Sequence, residues 1–320
     1  MEYAKDQAKA YARAHMRGLW GSIPYPFHAD GALDEKGLVS DLRHYIEVLE
    51  IDGFYCGGII NEFWTMTVDE RKRAQELIAK EAGNEIYTIT MTGHHCLAEA
   101  VELTRHAQAV GFDFVAIMNP YYGIRAEDAI VDYYRYIAER VDIGMLILNS
   151  PTAGYSLTPE QIARLSDIEN ICAIKNDVPL EATNRLRGLV GDRIVISDPS
   201  EGNWFTNLVA HGQQVFLASP SPHLFQTRGR LRLKEYTELA MRGEVEKAGR
   251  IRDGLEPLRR LAQEWIWDPW ARGELPMAQL KYWGELLGLS GGVPRPPLRP
   301  LSREKKDQLR REFQVAGLIP

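Results

Sequence analysis

Lys175 is the residue of this chain whose type and position suggest chemistry most directly. It closes a short apolar run at residues 171–174 and is followed by Asn176 and Asp177. Burial at the end of a strand disfavours the charged form of a lysine, and a neutral amine is a nucleophile toward a carbonyl carbon. If the strand continued past Lys175, Asp177 would face the same side and could serve as a base. The residues alone also allow a simpler interpretation, an ion pair between Lys175 and Asp177.

The elements that must position this lysine are visible as eight short apolar runs, each followed by a longer stretch with helical periodicity. Near-continuous apolar strands that alternate with helices are typical of a parallel sheet covered by helices. We therefore predict an α/β fold, a (β/α)8 TIM barrel with a C-terminal helical segment, whose active site lies at the carboxyl ends of the strands. The runs lie at residues 19–23, 53–56, 86–90, 114–118, 144–148, 171–174, 194–197 and 215–218.

The chain divides on the same pattern into three parts. Residues 1–17 are expected to form an N-terminal helical extension, residues 18–235 the barrel, and residues 236–320 a C-terminal helical domain. Two helix starts are marked by capping residues: Thr67 with Glu70 forms a capping box, and Thr158 precedes a proline at the first helical position.

Composition excludes several classes of protein. The 320 residues carry 38 Lys+Arg against 44 Asp+Glu, a net charge of −6, with no basic tract, so no nucleic-acid partner is expected. No apolar run is long enough to cross a membrane, and the first residues lack the apolar core of a signal peptide. Cys56, Cys96 and Cys172 lie in or beside apolar runs, which indicates buried thiols in a reducing cytoplasm.

Several motifs together resemble one known family. Asn119-Pro-Tyr-Tyr122 follows the fourth predicted strand, Asn149-Ser-Pro151 the fifth, and Lys175 ends the sixth. The second predicted strand is followed by Gly57-Gly-Ile-Ile-Asn-Glu-Phe63. In order and spacing, these segments resemble the dihydrodipicolinate synthase/N-acetylneuraminate lyase family, over nearly the whole chain from Gly18.

The resemblance implies a lyase in which Lys175 forms a Schiff base with pyruvate or a pyruvate-derived 2-oxo acid, without a cofactor or metal, in a homotetramer built as a dimer of dimers. Backbone N–H groups of the turn at Gly58 would hold the substrate carboxylate. The two tyrosines that follow Pro120 would line the site or reach across a subunit interface, although aromatic packing also explains them. The expected catalytic residues are Lys175, Tyr122, Tyr155 and Asp177, and the expected substrate-binding residues are Gly58, Ile59, Ile60, Tyr121, Leu148, Asn149, Ser197 and Ala218.

Departures from the family pattern affect proton transfer. Leu148 stands where the family has the tyrosine that relays protons during imine formation, and Ile59 and Ile60 stand where it has threonines. An arginine expected shortly after Pro151 is also missing. These losses argue against dihydrodipicolinate synthase itself and against an ordinary neuraminate lyase. The acid–base group must lie elsewhere, with Tyr155 and Asp177 as candidates; Tyr155 could equally be a loop aromatic that covers the core.

Aromatic and apolar residues near the expected mouth bear on the substrate. Ile59, Ile60, Phe63 and Trp64 make the site less polar than the family pattern. Residues 264–270 hold three of the seven tryptophans, which belong either to helix packing or a subunit interface, or to an apolar wall for a bulky or aromatic substrate. His94, His95 and Cys96 are adjacent, but no second cluster completes a metal site, so none is expected.

Three functions stay open on the sequence. The first is an aldolase or hydratase-aldolase on a 2-oxo acid. The second is a dehydratase or deaminase that uses the same imine. The third is a barrel without catalytic activity that binds a small acid.

Overall fold

The computed structural model describes residues 2–120 and 123–320. Eight parallel strands form one sheet in the order β7-β6-β5-β4-β3-β2-β1-β8. Helices alternate with the strands, and a C-terminal helical segment follows, so the predicted (β/α)8 TIM barrel is confirmed. The strands are β1 (Gly18–Gly21), β2 (Gly53–Cys56), β3 (Tyr87–Met91), β4 (Phe114–Met118), β5 (Gly144–Asn149), β6 (Ile171–Asn176), β7 (Val195–Ser197) and β8 (Val215–Leu217).

The barrel is nearly closed between its last two strands. β1 pairs with β2 on one side and with β8 on the other, while β7 pairs with β6. Between β7 and β8 the Leu217 backbone N–H donates a hydrogen bond of 3.0 Å to the Ser197 hydroxyl. Nearly every strand residue is buried, because the barrel interior fills one face and the helices cover the other.

The helices follow the strands in the expected order. Thr67 and Thr158 form the predicted N-terminal caps, and both helices carry a full capping box. Within the described residues the helices are α1 (Ala8–His15), α2 (Glu35–Glu47), α3 (Val68–Ala82), α4 (Leu97–Val110), α5 (Glu127–Ala138), α6 (Pro159–Leu165), α7 (Leu180–Val190), α8 (Glu201–His211), α9 (Ser221–Phe225), α10 (Arg232–Met241), α11 (Val245–Asp253), α12 (Glu256–Ala262), α13 (Asp268–Ala271), α14 (Met277–Leu286) and α15 (Arg303–Val315).

Two segments outside the alternating pattern matter for the site. A π-helical turn, Gln263–Trp267, joins α12 to α13 in one continuous helical stretch. At the amino-terminal end of the barrel, α1 packs Ala8 and Ala12 into the same buried cluster as the strand residues. The division of the chain at residue 235 stays a prediction, and α10 runs through that position.

The expectation that all three thiols are buried is wrong for one of them. Cys56 and Cys172 are buried, but Cys96 is exposed because it lies at the N-terminal cap of α4, outside the strand before it. In the ranges 2–120 and 123–320, none of the helices has the length and apolar character needed to cross a membrane.

Candidate active site

Lys175 lies near the carboxyl end of β6 with only 6% of its surface exposed. In the sheet it is paired with Leu148 on β5 and Ser197 on β7. Its Nζ donates a hydrogen bond to the Ser219 hydroxyl and lies 4.9 Å from the centre of the Tyr55 ring. Burial lowers the pKa of Lys175 to about 8, and the nearby Asp177 carboxylate partly opposes this shift. Lys175 is therefore a buried amine that deprotonates readily near neutral pH.

A cavity of about 210 Å³ surrounds this amine at the carboxyl ends of the strands. The structure brings six of the predicted site residues to it, from four different strands or strand ends. Apolar groups dominate its walls, with three hydroxyls and one carboxylate among them. The lining residues are Tyr55, Ile59, Ile60, Leu148, Ser150, Lys175, Asp177, Pro199, Ala218, Ser219, Pro220, Trp267 and Trp270.

The turn after β2 presents backbone donors at one side of this cavity. It is a single 3₁₀ turn, Ile59–Asn61, in which the Gly58 N–H donates 2.6 Å to the Asn61 side-chain oxygen. The first N–H groups of such a turn have no acceptor within it. Across the part of the chain that the structure describes, no other group accepts from the Ile59 or Ile60 N–H. These two donors are available to an anion.

A buried ion pair lies at the residue that ends this turn, Glu62. Glu62 has a left-handed backbone with φ of 57°, and its carboxylate lies 2.7 Å from Lys281 Nζ. Both side chains are almost completely buried, and the Arg295 backbone N–H donates 2.8 Å to the second Glu62 oxygen. Burial lowers the pKa of Lys281 to about 8, while Glu62 opposes the shift. This lysine does not line the Lys175 cavity.

Asp177 follows β6 directly and lines the Lys175 cavity, as its spacing predicts. Its backbone N–H donates 2.8 Å to the Asn149 carbonyl, and its carboxylate accepts 3.0 Å from the Ser150 hydroxyl. It also borders a second chamber of about 370 Å³, which reaches the Glu201–Arg259 ion pair. Asp177 is exposed, so its carboxylate is open to solvent.

Three other predicted site residues point elsewhere. The Asn149 amide donates to Asn176 Oδ1 and to the Leu157 carbonyl, so it serves a hydrogen-bond network outside the cavity. The Ser197 hydroxyl is buried in the bond to Leu217 that closes the barrel. The Tyr155 hydroxyl donates 3.1 Å to the Pro120 carbonyl.

The Arg125 guanidinium stacks 3.8 Å from the centre of the Tyr155 ring, which lies away from the Lys175 cavity. Burial raises the pKa of Tyr155, with Arg125 opposing the shift. The predicted residues Tyr121 and Tyr122 lie outside the described residues.

Two residues that contact the Lys175 amine were not predicted, Ser219 and Tyr55. Ser219 directly follows the eighth predicted strand, so the rule that strand ends carry the site would have indicated it. Its backbone is left-handed, with φ of 45°, which the sequence does not reveal. Tyr55 lies within the second predicted strand, where a continuous apolar run gives no sign of which side chains point into the barrel.

The tryptophan cluster divides between the two interpretations left open by the sequence. Trp267 and Trp270 line the Lys175 cavity, with ring centres 6.4 Å apart. Trp265 is instead buried in the C-terminal core, where its indole N–H donates 2.5 Å to Glu312. Phe63 and Trp64 line a separate cavity of about 750 Å³ together with His94 and His95.

Comparison with known proteins identifies the family. The sequence model of the dihydrodipicolinate synthetase family matches residues 15–316. A 4-hydroxy-tetrahydrodipicolinate synthase from Methanothrix thermoacetophila is 30% identical over 302 residues, covering 92% of this chain and 95% of its own. An N-acetylneuraminate lyase from Clostridium perfringens is 28% identical over 235 residues, covering 73% and 79%.

The fold agrees with this assignment. The solved structure of dihydrodipicolinate synthase from Aquifex aeolicus superimposes with a TM-score of 0.82 at 23% identity, covering 94% of this chain and 98% of the other. The prediction of an enzyme of the class I aldolase and lyase type is confirmed by the family match and the named relatives. The chain belongs to the dihydrodipicolinate synthetase family.

Proposed function

We propose that this enzyme forms a Schiff base between Lys175 and a 2-oxo acid, pyruvate or a compound derived from it. The observation that carries the proposal is the buried Lys175 amine, whose pKa is lowered to about 8, in a cavity of about 210 Å³ at the carboxyl ends of the strands. A neutral amine in such a cavity attacks a ketone carbon. The Ile59 and Ile60 N–H groups would hold the carboxylate beside that ketone, as fixed donors do for anions elsewhere.

The imine then serves as an electron sink for a neighbouring bond. In the cleavage direction Asp177 would take the proton of the hydroxyl on the carbon to be released. The electron pair of the adjacent C–C bond moves toward the protonated imine, and the carbonyl product leaves. Asp177 suits this role because it lines the cavity and is open to solvent on its other side.

Trapping with borohydride tests the Schiff base. The protein is incubated with pyruvate, reduced, and analysed by intact mass and peptide mapping, with Lys175→Met as the variant that lacks the amine. We expect one pyruvyl adduct, on Lys175 only. Lys281 is a matched internal control, because it is also buried with a pKa lowered to about 8 but pairs with Glu62 outside the cavity. No adduct across a panel of 2-oxo acids, or an adduct on Lys281, contradicts the proposal.

We further propose that the second part of the substrate is bulky or aromatic, as in a hydratase-aldolase. The support is the apolar wall of Ile59, Ile60, Leu148, Trp267 and Trp270 around the amine. Flat aromatic rings gain from offset or edge contacts with tryptophan. A site for a polyhydroxylated sugar chain would instead need several hydrogen-bonding side chains at these positions.

Product analysis separates this activity from its alternative. The enzyme is offered pyruvate with an aryl aldehyde or with glyceraldehyde, and Trp270→Ala is compared with the unmodified protein. We expect aryl condensation to exceed glyceraldehyde condensation and to fall in Trp270→Ala. Release of water or ammonia from a substituted 2-oxo acid without C–C cleavage would instead establish the dehydratase or deaminase function.

The assembly is a further proposal. We expect a homotetramer in a dimer-of-dimers arrangement, in a cytoplasmic enzyme, as the family resemblance implies. Light scattering on the purified protein measures the mass directly. A monomer of 36.3 kDa would contradict the expected assembly but would not contradict the Schiff-base proposal.

A further inference from the structure

Ser219 is the hydroxyl in direct contact with the Lys175 amine. It follows β8, lines the Lys175 cavity, and accepts a hydrogen bond from Lys175 Nζ. The strand-five position that faces Lys175 carries Leu148, which cannot transfer a proton. Imine formation in this cavity therefore needs a proton-transfer group other than the strand-five residue.

The backbone of Ser219 is held in an unfavourable conformation. Its φ of 45° is left-handed, which side chains other than glycine, asparagine and aspartate adopt rarely, and the next residue is Pro220, which disfavours helical conformations before it. The Ser219 carbonyl accepts 2.8 Å from the Ser22 N–H, which ties this strained residue to the end of β1. Strain of this kind persists where the surrounding structure fixes a side chain in one place, and it is concentrated at functional sites.

We propose that Ser219 is the proton-transfer residue for imine formation at Lys175. The inference rests on the proposed Schiff-base function. In the step, the nitrogen lone pair of Lys175 forms a C–N bond to the ketone carbon, and the carbonyl electron pair moves to oxygen. A proton passes from nitrogen to Ser219 Oγ while the serine's own proton passes to that oxygen.

A second proton then reaches the hydroxyl of this intermediate from solvent through Ser219, and the C–O bond breaks. The oxygen leaves as water, the nitrogen lone pair forms the C=N bond, and one proton stays on the imine nitrogen. This second proton replaces the one that the ammonium form of Lys175 released to solvent before the attack. The serine hydroxyl is regenerated, and the step needs no oxidant.

Two other hydroxyls of the cavity fit the role less well. Ser150 already donates to Asp177, and the hydrogen bond of Lys175 Nζ goes to Ser219 instead. The Tyr55 hydroxyl is buried without a partner among the described residues, and burial raises its pKa. The Tyr55 hydroxyl lies beside Gly58, at the turn after β2, whereas Lys175 Nζ lies over the face of the Tyr55 ring.

Replacing Ser219 by glycine tests the inference without endangering the fold. Glycine accepts a φ of 45° and keeps the carbonyl that binds Ser22, so we expect an unchanged or higher Tm. The matched control is Glu50→Gly, which relieves another left-handed residue, with φ of 49°, on the exposed surface. Adduct formation with pyruvate is stopped by borohydride at increasing times and quantified by intact mass over a range of pyruvate concentrations.

We expect the maximal rate of adduct formation to fall about 10²- to 10⁴-fold in Ser219→Gly, the usual contribution of a proton-transfer group. Half-saturation by pyruvate should stay within a few-fold, and Glu50→Gly should match the unmodified protein. An unchanged maximal rate in Ser219→Gly overturns the inference while the Schiff base stands. Loss of the rate in Tyr55→Phe alone transfers the role to Tyr55. Absence of any adduct in the unmodified protein overturns the Schiff-base function, and with it this inference.

Discussion

At the scale of single residues, the reactivity of Lys175 follows from its burial among largely apolar groups. Burial alone lowers its pKa to about 8, and the charge nearest to it, Asp177, acts in the opposite direction. Leu148 faces the lysine across the β5–β6 ladder and adds an apolar wall. At a pKa of about 8, roughly a tenth of the amine is neutral at pH 7, several hundred times more than for an unperturbed lysine. A leucine at position 148, in place of a polar neighbour, thus favours the neutral and nucleophilic form of Lys175.

The pH dependence of imine formation should report this balance. Because the neutral amine attacks, we expect the rate of trapped-adduct formation to rise with pH and to level off above about 8. In Asp177→Asn the carboxylate that favours the charged amine is gone, so the pKa of Lys175 falls and the midpoint moves to lower pH. The profile is measured with pyruvate between pH 5 and 10. An unshifted midpoint would show that Asp177 does not act on the Lys175 charge.

The sequence predicted part of this site, for reasons that differ between residues. Six predicted residues meet at one cavity because all lie at the carboxyl ends of strands: Ile59, Ile60, Leu148, Lys175, Asp177 and Ala218. Asn149 and Ser197 lie at strand ends too, but their side chains are used in hydrogen bonds inside the fold. Adjacent strand residues point to opposite faces, so Leu148 and Asn149 cannot both face the amine. A run of buried residues does not reveal which of the two does.

At the scale of elements, the strands were predictable and the connections were not. Every predicted strand is present, because a strand buried on both faces must be apolar along its length. Residues 291–300 are rich in proline and glycine, which predicts an irregular connection. In the structure, Arg295 of this segment donates from its guanidinium to the Glu70 carboxylate and to the Thr65 carbonyl. Such long-range side-chain contacts leave no periodic signal in the sequence.

A pH-sensitive contact joins α2 to the same C-terminal region. Asp41 accepts 2.7 Å from the Ser290 N–H and 2.9 Å from its hydroxyl, and burial raises the pKa of Asp41 to about 7. In the unfolded chain this pKa is about 4. The folded state therefore binds a proton more tightly, and its stability falls as the pH rises from about 4 to about 7.

Asp41→Asn should remove this loss. Asparagine keeps an acceptor for Ser290 and does not titrate. The free energy of unfolding of the variant, minus that of the unmodified protein, should therefore increase between pH 4 and 7, by about 4 kcal/mol at most. Urea unfolding at pH 5 and pH 8 measures the difference. A stability difference independent of pH would mean that Asp41 is ionised in the folded protein at both values.

At the scale of the whole molecule, α14 of the C-terminal segment contacts the turn that follows β2. Lys281 on α14 neutralises Glu62 and also donates 2.7 Å to the Val293 carbonyl. Lys281→Met leaves the Glu62 carboxylate buried and unpaired, which should lower the free energy of unfolding by about 3–5 kcal/mol. We expect weaker pyruvate binding as well, because Ile59 and Ile60 precede Glu62 in the same turn.

Thermal unfolding and the pyruvate dependence of adduct formation measure the two effects. Lys247→Met is the control, because Lys247 pairs with Glu244 on the exposed surface and should change neither quantity appreciably. Normal pyruvate binding in a destabilised Lys281→Met protein would show that the ion pair supports the fold without positioning the turn.

The N-terminal extension closes the other end of the barrel. The Tyr3 hydroxyl donates 2.5 Å to the Asp113 carbonyl and accepts 2.8 Å from the Gly144 N–H, so it joins the starts of β4 and β5. Lys9 of α1 donates 2.6 Å to the Ser166 carbonyl at the end of α6, where a positive charge meets the negative end of a helix dipole. The extension is therefore tied to the barrel by hydrogen bonds as well as by its buried alanines.

Removing one hydroxyl tests whether this extension stabilises the whole barrel. Tyr3→Phe keeps the buried ring but leaves the Gly144 N–H without its acceptor, which should lower the free energy of unfolding by about 1–3 kcal/mol. Tyr11→Phe is the matched control, since its hydroxyl donates to Glu2 at the surface and to no other group among the described residues. If the extension folds with the barrel, Tyr3→Phe lowers the single Tm of the protein while Tyr11→Phe leaves it unchanged. If the extension detaches first, Tyr3→Phe leaves that Tm unchanged and only exposes the N-terminal residues to proteolysis.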